Sequence, residues 1–393
     1  MGDWKDFSLL DFVEIHDQKR VPLSKMEREK RQGVYPYYGA SGVIDYVDSY
    51  LFDGEYVLVS EDGENLKTRQ TPIAFIADGK IWVNNHAHIL KGKKDFHNKL
   101  IVYYFMNLDL NPYLTGAVQP KLSQSSLHSI PIFLPEGDAE QKAIAMVLSS
   151  LDDKIDLLHR QNKTLEAMAE TLFRQWFVEE AQEDWKDGTI ADLIEFNPTR
   201  KLAKGTVAPY LEMAALSTAM FSPEGWYDRE FTSGTKFVNG DTLLARITPC
   251  LENGKTAYIT FLDDNEVAWG STEYIVMRPM GELHSFFAYT LSRNSDFREY
   301  AEGCMEGSSG RQRVNVDHLK KYSIKIPSPE VMGDFNSFAE PTVQKLHANA
   351  GQIRVLEKLR DTLLSKLVSG EVRVEIGSHA EARSTRREVQ DVK

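Results

Sequence analysis

The sequence predicts an α+β protein. Two globular α/β domains are each followed by a long helix, and the two helices pair as an antiparallel coiled coil in a pseudo-two-fold repeat. Three observations predict it. Asp3-Trp4-Lys5-Asp6 recurs as Asp184-Trp185-Lys186-Asp187, each followed by a similar apolar run. Two stretches carry apolar residues at alternating four- and three-residue spacing, the seam of a coiled coil. Between them lie short β-branched and aromatic runs bounded by turn residues, which read as strands. The interval between repeats is longer than solenoid or propeller periods, so a whole domain is duplicated.

The expected segments are 1–137, 138–181, 182–329, 330–372 and 373–393. In the first, Val57-Leu58-Val59-Ser60, Ile73-Ala74-Phe75-Ile76 and Ile81-Trp82-Val83 read as strands. Lys99 to Leu108 carries an unbroken apolar run, Leu100 to Met106, and reads as a buried helix. Ile130 to Pro135 reads as a closing strand whose prolines favour an edge. From Asp138 to about Glu180 there is neither Gly nor Pro, and the seam runs Ile144, Leu148, Leu151, Ile155, Leu158, Leu165, Ala169, Leu172, Trp176. About forty helical residues span ~60 Å. The polar seam position is Asn162; a buried Asn lowers stability but fixes register. Strand-and-turn texture returns from Asp184 to Pro329. A second seam follows: Phe335, Ala339, Thr342, Leu346, Asn349, Ile353, Leu356, Arg360, Leu363, Leu367. Pro341 is expected to break or kink this helix, and Gly370 to cap it. Gly377 to Lys393 lacks apolar periodicity and reads as a disordered tail.

The repeat also holds at the end of each domain. Gly116 to Leu122 parallels Ser308 to Val314, and Leu127 to Pro135 parallels Leu319 to Pro327. Matching residues lie further apart here than at the start, so the second domain holds an insertion. A kept frame with a changed interior suits a scaffold whose interior reads a ligand.

Composition narrows the function classes. No apolar run approaches the ~18 residues of a membrane span, and the first twenty or so residues carry no secretory apolar core. Cys250 and Cys304 are too few for a disulfide framework. A cytoplasmic location is expected. The net charge of −12 runs against the basic footprint of simple nucleic-acid binders, so basic clusters such as Lys91, Lys93 and Lys94 would act locally and partner subunits would supply further positive field. Catalytic motifs are missing: there is no GxxxxGK[ST] loop and no GxGxxG. Asn197-Pro198-Thr199 lacks the second proline and the aromatic of an adenine methyltransferase motif. Glu140-Gln141-Lys142 reads as the solvated first turn of a helix. His86 and His88 share a face of an apparent strand, where packing is favoured over metal ligation. No metal or cofactor site is expected.

Recognition chemistry is richer. Tyr35 to Gly42, including Tyr37 and Tyr38, mixes aromatics with small residues. Gly303 to Arg313 mixes Gly and Ser with Arg311 and Arg313, which could fork onto guanine edges or hold phosphates. Gln119 and Lys121 occupy the matching place in the first domain.

Several segments then carry a resemblance. They are Leu58-Val59-Ser60-Glu61-Asp62-Gly63, Trp82 to His88 and Gln119-Pro120-Lys121-Leu122 in the first half, and Ala245 to Lys255, Gly270-Ser271-Thr272-Glu273-Tyr274 and Gly307 to Arg313 in the second. In this order, with two heptad helices, the chain resembles the specificity subunit of a type I restriction–modification enzyme over essentially residues 3–372. The resemblance implies two target recognition domains, each reading half of a split sequence in double-stranded DNA, with the helices setting the separation. It implies no catalysis and no cofactor in this chain. Two modification subunits would bind S-adenosylmethionine and methylate adenine; restriction/translocase subunits would use Mg and ATP. The candidate DNA contacts are Tyr37, Tyr38, Lys93, Gln119 and Lys121 in the first domain, and Arg246, Thr248, Arg311 and Arg313 in the second. The acidic balance keeps open a non-catalytic protein-interaction scaffold with two repeated binding domains.

Overall fold

The computed structural model describes residues 3–116, 119–308 and 310–374. The expected tail from Gly377 to Lys393 lies outside them. Past the expected boundary at 372, Arg373 pairs with Glu140 at 2.6 Å, and Val374 packs against the core of unit 1. The chain divides into two compact units, Met1–Lys154 with Leu356–Lys393, and Ile155–Val355.

Unit 1 contains two four-stranded sheets. In one the strand order is Val13–Ile15, Ala87–Gly92, Tyr56–Ser60, Ala74–Ala77, all antiparallel. In the other it is Gly42–Val47, Gln32–Gly39, Lys80–Val83, Phe52–Asp53, with Gln32–Gly39 parallel to Lys80–Val83. The expected buried helix is His97–Asn107, and its Leu100, Ile101 and Phe105 are fully buried.

Unit 2 repeats this topology. One sheet runs Ile194–Phe196, Tyr274–Pro279, Thr242–Ala245, Thr256–Tyr258. The other runs Tyr227–Glu230, Val207–Leu211, Ala268–Gly270, Thr235–Phe237, again with its second and third strands parallel. The repeated tetrapeptide begins a closing ribbon in each unit: Trp4–Ser8 pairs with Pro131–Pro135, and Asp187–Thr189 with Ser323–Lys325. Both ribbons run into a capping box, Ser8 with Asp11 and Thr189 with Asp192, in which the two side chains satisfy orphan N–H groups reciprocally.

The long helices are Asp138–Arg174, with a wider turn Gln175–Glu179 behind it, and Pro329–Val368. They pair antiparallel within each unit. In unit 1, Glu140 meets Arg373 and Asp152 meets Arg360 at 3.0 Å, while Ile144 and Leu148 share a core with Leu364, Leu367 and Val368. In unit 2, Asn162 meets Asn349, and Phe177 meets Phe335 at 5.4 Å between ring centres. Two expectations are corrected. Of the break or kink expected at Pro341, the break does not occur: the second helix continues to Val368; Phe335, Ala339 and Leu346 around it are fully buried, and that packing outweighs the lost backbone bond. Glu140 and Gln141 are not a solvated turn. Both are buried, Glu140 on Arg373 and Gln141 donating to the Pro135 carbonyl at 2.7 Å.

The Asn349 side-chain N–H donates to Asn162 Oδ1 at 2.7 Å. Asn162→Leu leaves the buried Asn349 without its partner and should cost about 1–3 kcal/mol. Asn162→Leu with Asn349→Leu should recover that loss. Urea denaturation of the single and double variants checks this.

Candidate nucleic-acid interface

In each unit the loops beyond the central strands are tied together by the same backbone bonds. In unit 1, Ser60 pairs with Ala87 at the strand end. Past it, the Glu61 N–H donates to the His86 carbonyl at 2.9 Å, and the Leu122 N–H donates to the Glu61 carbonyl at 2.8 Å. In unit 2, Ala245 pairs with Tyr274. The Arg246 N–H donates to the Glu273 carbonyl at 2.9 Å, and the Val314 N–H to the Arg246 carbonyl at 2.9 Å. Isolated bridges Asp62–Lys121 and Ile247–Arg313 complete the match. The equivalent positions are therefore Glu61 and Arg246, His86 and Glu273, Lys121 and Arg313. The backbone frame is kept and the charges on it are changed.

The unit 1 frame rests on a buried ionic network. Glu61 accepts from Arg20 at 2.6 Å and pairs with Lys121 at 3.2 Å. Below it, His88 meets Asp17 at 2.6 Å through Nδ1 and the Leu122 carbonyl at 2.8 Å through Nε2. Asp17 also accepts from the Ile89 N–H at 2.8 Å. Burial pushes the Asp17 carboxyl up, but the His88 bond and charge, the Ile89 N–H and Arg20 outweigh it, and it lies below the ordinary 3.8. Glu61 is likewise lowered: burial raises it, and Arg20, His88 and Lys121 prevail. Asp17, Glu61 and His88 present ligand atoms within 4.8 Å of one another. Arg20 and Lys121 already neutralise these carboxylates, so the chemistry fits an ion-pair network better than a metal centre. His86 does not share the strand face of His88. The strand starts at Ala87, and His86 sits in the turn before it, 2.8 Å from Asp62.

In unit 2 the Arg246 Nε donates to the Val314 carbonyl at 3.0 Å. Arg313 lies side-on to Glu273: its Nε donates to the two carboxylate oxygens at 2.8 and 2.9 Å, and Nη2 is 2.7 Å from Oε1. The Thr248 N–H donates to the Gln312 carbonyl at 3.1 Å, so Thr248 lines the same edge.

The sequence matches the type I restriction modification DNA specificity domain over residues 1–167 and again over 182–348. The chain belongs to the type I restriction–modification specificity family. A Methanocaldococcus jannaschii relative, the MjaIX specificity subunit, is 25% identical over 416 residues, covering 95% of this chain and 94% of that protein. A putative specificity subunit of Haemophilus influenzae, S.HindORF215P, is 34% identical over 149 residues, 38% of this chain; the match spans 37% of that protein's length. The crystal structure of a type I S subunit from M. genitalium shares the fold, with a TM-score of 0.59 at 16% identity over 96% of this chain and 97% of that one. Specificity subunits recognise DNA sequence and are not themselves catalytic, which agrees with the missing catalytic motifs. Among the described residues no helix is long and apolar enough to cross a membrane.

For a specificity subunit, the expected contact residues divide into three groups. The frame brings together Lys121 with Glu61, and Arg246, Thr248 and Arg313 with Glu273. Gln119 and Arg311 are exposed beside these frames. Tyr37, Tyr38 and Lys93 fall elsewhere. Tyr37 is fully buried; its hydroxyl accepts from the Leu23 N–H at 2.8 Å, and Arg28 covers its ring. It belongs to the core. Tyr38, on the opposite strand face, is half-buried beside Phe75, and burial pushes its hydroxyl pKa up. Lys93 follows the far end of the strand Ala87–Gly92, about 20 Å from the frame end at ~3.3 Å per residue, and its ammonium donates to the Leu10 carbonyl. Glu61 and Glu273, which hold the candidate cations Lys121 and Arg313, were not among the residues expected at the interface, although both stand in the quoted motifs. Their signal was a carboxylate directly beside a strand end.

Asp17 has a lowered folded pKa, so its contribution is present above the unfolded value of about 3.8 and is lost as pH falls through the folded value. Asp17→Asn breaks a buried pair and should cost about 3–5 kcal/mol at pH 7. It should also flatten the acid side of the stability profile. Melting temperatures from pH 7 to pH 3 check both.

Proposed function

We propose that the chain reads a bipartite sequence in double-stranded DNA, one half per unit, and presents it to two adenine methyltransferase subunits and to restriction/translocase subunits. S-adenosylmethionine, Mg and ATP belong to those partners in this reading. The observation that carries it is the pair of matching backbone frames with different side chains. Glu61, His86 and Lys121 stand in one where Arg246, Glu273 and Arg313 stand in the other. A duplicated frame allows two copies to meet the same kind of ligand. Changed hydrogen-bonding groups at its edge allow them to prefer different base pairs, because only the major groove separates all four. The MjaIX relative is named as a specificity subunit, and family membership supports the same role here.

The full chain, co-expressed with the methyltransferase of its own system, should enrich from a random duplex library a motif in two parts with an unspecified spacer. Binding should weaken steeply with salt, as phosphate contacts by the whole complex require. A single undivided motif would sink the two-half reading. Absent or salt-insensitive binding would favour the protein-interaction scaffold.

The helices are proposed to set the spacer. Removing a matched heptad from both shortens the pair by about 10 Å, or roughly three base pairs. The preferred spacer should shorten accordingly, and an unchanged spacer refutes the ruler.

A further inference from the structure

Arg313 is held so that one edge of its guanidinium is used and the other is open. Glu273 takes Nε and Nη2. Nη1 and the second Nη2 hydrogen remain at the outer end, and the side chain is 48% exposed. Beside it, Arg246 is also anchored through Nε, on the Val314 carbonyl. The carboxylate, the two arginines and the Val314 carbonyl are locked by the frame bonds, which lowers the rotamer freedom lost on binding.

The open edge is a pair of parallel N–H donors. Two ligand edges match it: a phosphate and the major-groove edge of guanine, which offers O6 and N7 as acceptors. The other bases do not. Adenine places a donor beside N7, cytosine presents a donor, and thymine has one acceptor and a methyl group. Glu273 decides between guanine and phosphate. Its charge offsets that of Arg313 and repels a phosphate, whereas a neutral base edge needs only the directed N–H groups. At the equivalent place in unit 1 stands Lys121, paired with Glu61. An ammonium is a point donor without a fork.

We propose that Arg313, positioned by Glu273, reads a guanine in the half-site taken by unit 2, and that unit 1 has no such reader at the matching position. This rests on the DNA-reading function proposed above. Glu273 acts through Arg313 and is a positioning residue.

The test uses the full chain with its co-expressed methyltransferase and a random duplex library, comparing wild type, Arg313→Lys and Glu273→Gln. The half-motif read by unit 1 serves as the folding control within each selection. Wild type should show one strongly preferred G·C pair in the other half. Arg313→Lys keeps the charge and loses the fork, so that preference should fall by roughly 5- to 150-fold, the range of a bidentate base contact, with the salt slope unchanged. Glu273→Gln should weaken the same preference and steepen the salt slope, because the freed guanidinium now attracts phosphate. An unreduced G·C preference in Arg313→Lys, with at most a uniform loss of affinity across all sequences, marks a phosphate contact and overturns the assignment. So does an unaltered two-part motif in both variants. If wild type selects no motif, the DNA-reading function fails and takes this assignment with it.

Discussion

The structure depends on both long helices entering both cores. In unit 1 the first long helix and the end of the second close the same apolar cluster, with Ile144 and Leu148 against Leu364, Leu367 and Val368. In unit 2 the far portions do the same, with Ala169, Phe173 and Phe177 against Phe335, Ala339 and Leu346. Buried methylenes contribute ~0.8 kcal/mol each, so neither set of sheets is complete without sequence from distant parts of the chain. A hydroxyl–carboxylate contact adds direction in each unit. Tyr103 donates to Asp152 at 2.5 Å, and Tyr289 donates to Glu166, with Arg293 donating to the Tyr289 oxygen at 3.1 Å. Burial pushes the Glu166 carboxyl above its ordinary value, the reverse of Asp17. Its ionisation therefore opposes folding, and the contact fixes geometry more than it adds stability.

That rigidity matters because the frame at the strand ends is built from loops. Loops hold a side chain loosely unless their backbone is tied. Here the ties are Glu61 with His86 and Leu122 in unit 1, and Arg246 with Glu273 and Val314 in unit 2. They involve N–H and C=O groups alone, so they survive changes of side chain other than to proline. A duplicated domain can alter every residue at the edge while its loops keep their places. The exchange of Glu61 for Arg246 and of His86 for Glu273 is a change of this kind.

Much of this was legible in the sequence because it is periodic. The seam residues Ile144, Leu148, Phe335 and Leu346 are fully buried, and the two seam asparagines meet. The strands around Val57, Ala74 and Trp82 stand where their β-branched and aromatic texture put them. What periodicity carries poorly is direction and distance in three dimensions. Tyr37 and Tyr38 have the same composition signal, but successive strand side chains face opposite ways, and Tyr37 turned inward. Lys93 belongs to a basic cluster just past the end of its strand opposite the frame. Glu140 reads as a solvated helix start until Arg373, far away in sequence, reaches it. Glu273 reads as one residue of a motif until Arg313 folds back over it.

These pairings also resolve the conflict between a net charge of −12 and a DNA ligand. At the frames three cations are already compensated, Lys121 by Glu61, Arg20 by Glu61 and Asp17, and Arg313 by Glu273, while Arg246 is held on the Val314 carbonyl. A compensated cation releases few counterions on contact with a phosphate, so it contributes little non-specific affinity. Its N–H groups stay directed, and a directed donor discriminates between base edges where a bare charge does not. An acidic chain with compensated arginines suits selection among base pairs better than attraction to the backbone. In the proposed complex the attraction would fall to the surfaces of the partner subunits, and a low general affinity of this chain would sharpen the contrast between right and wrong sequences.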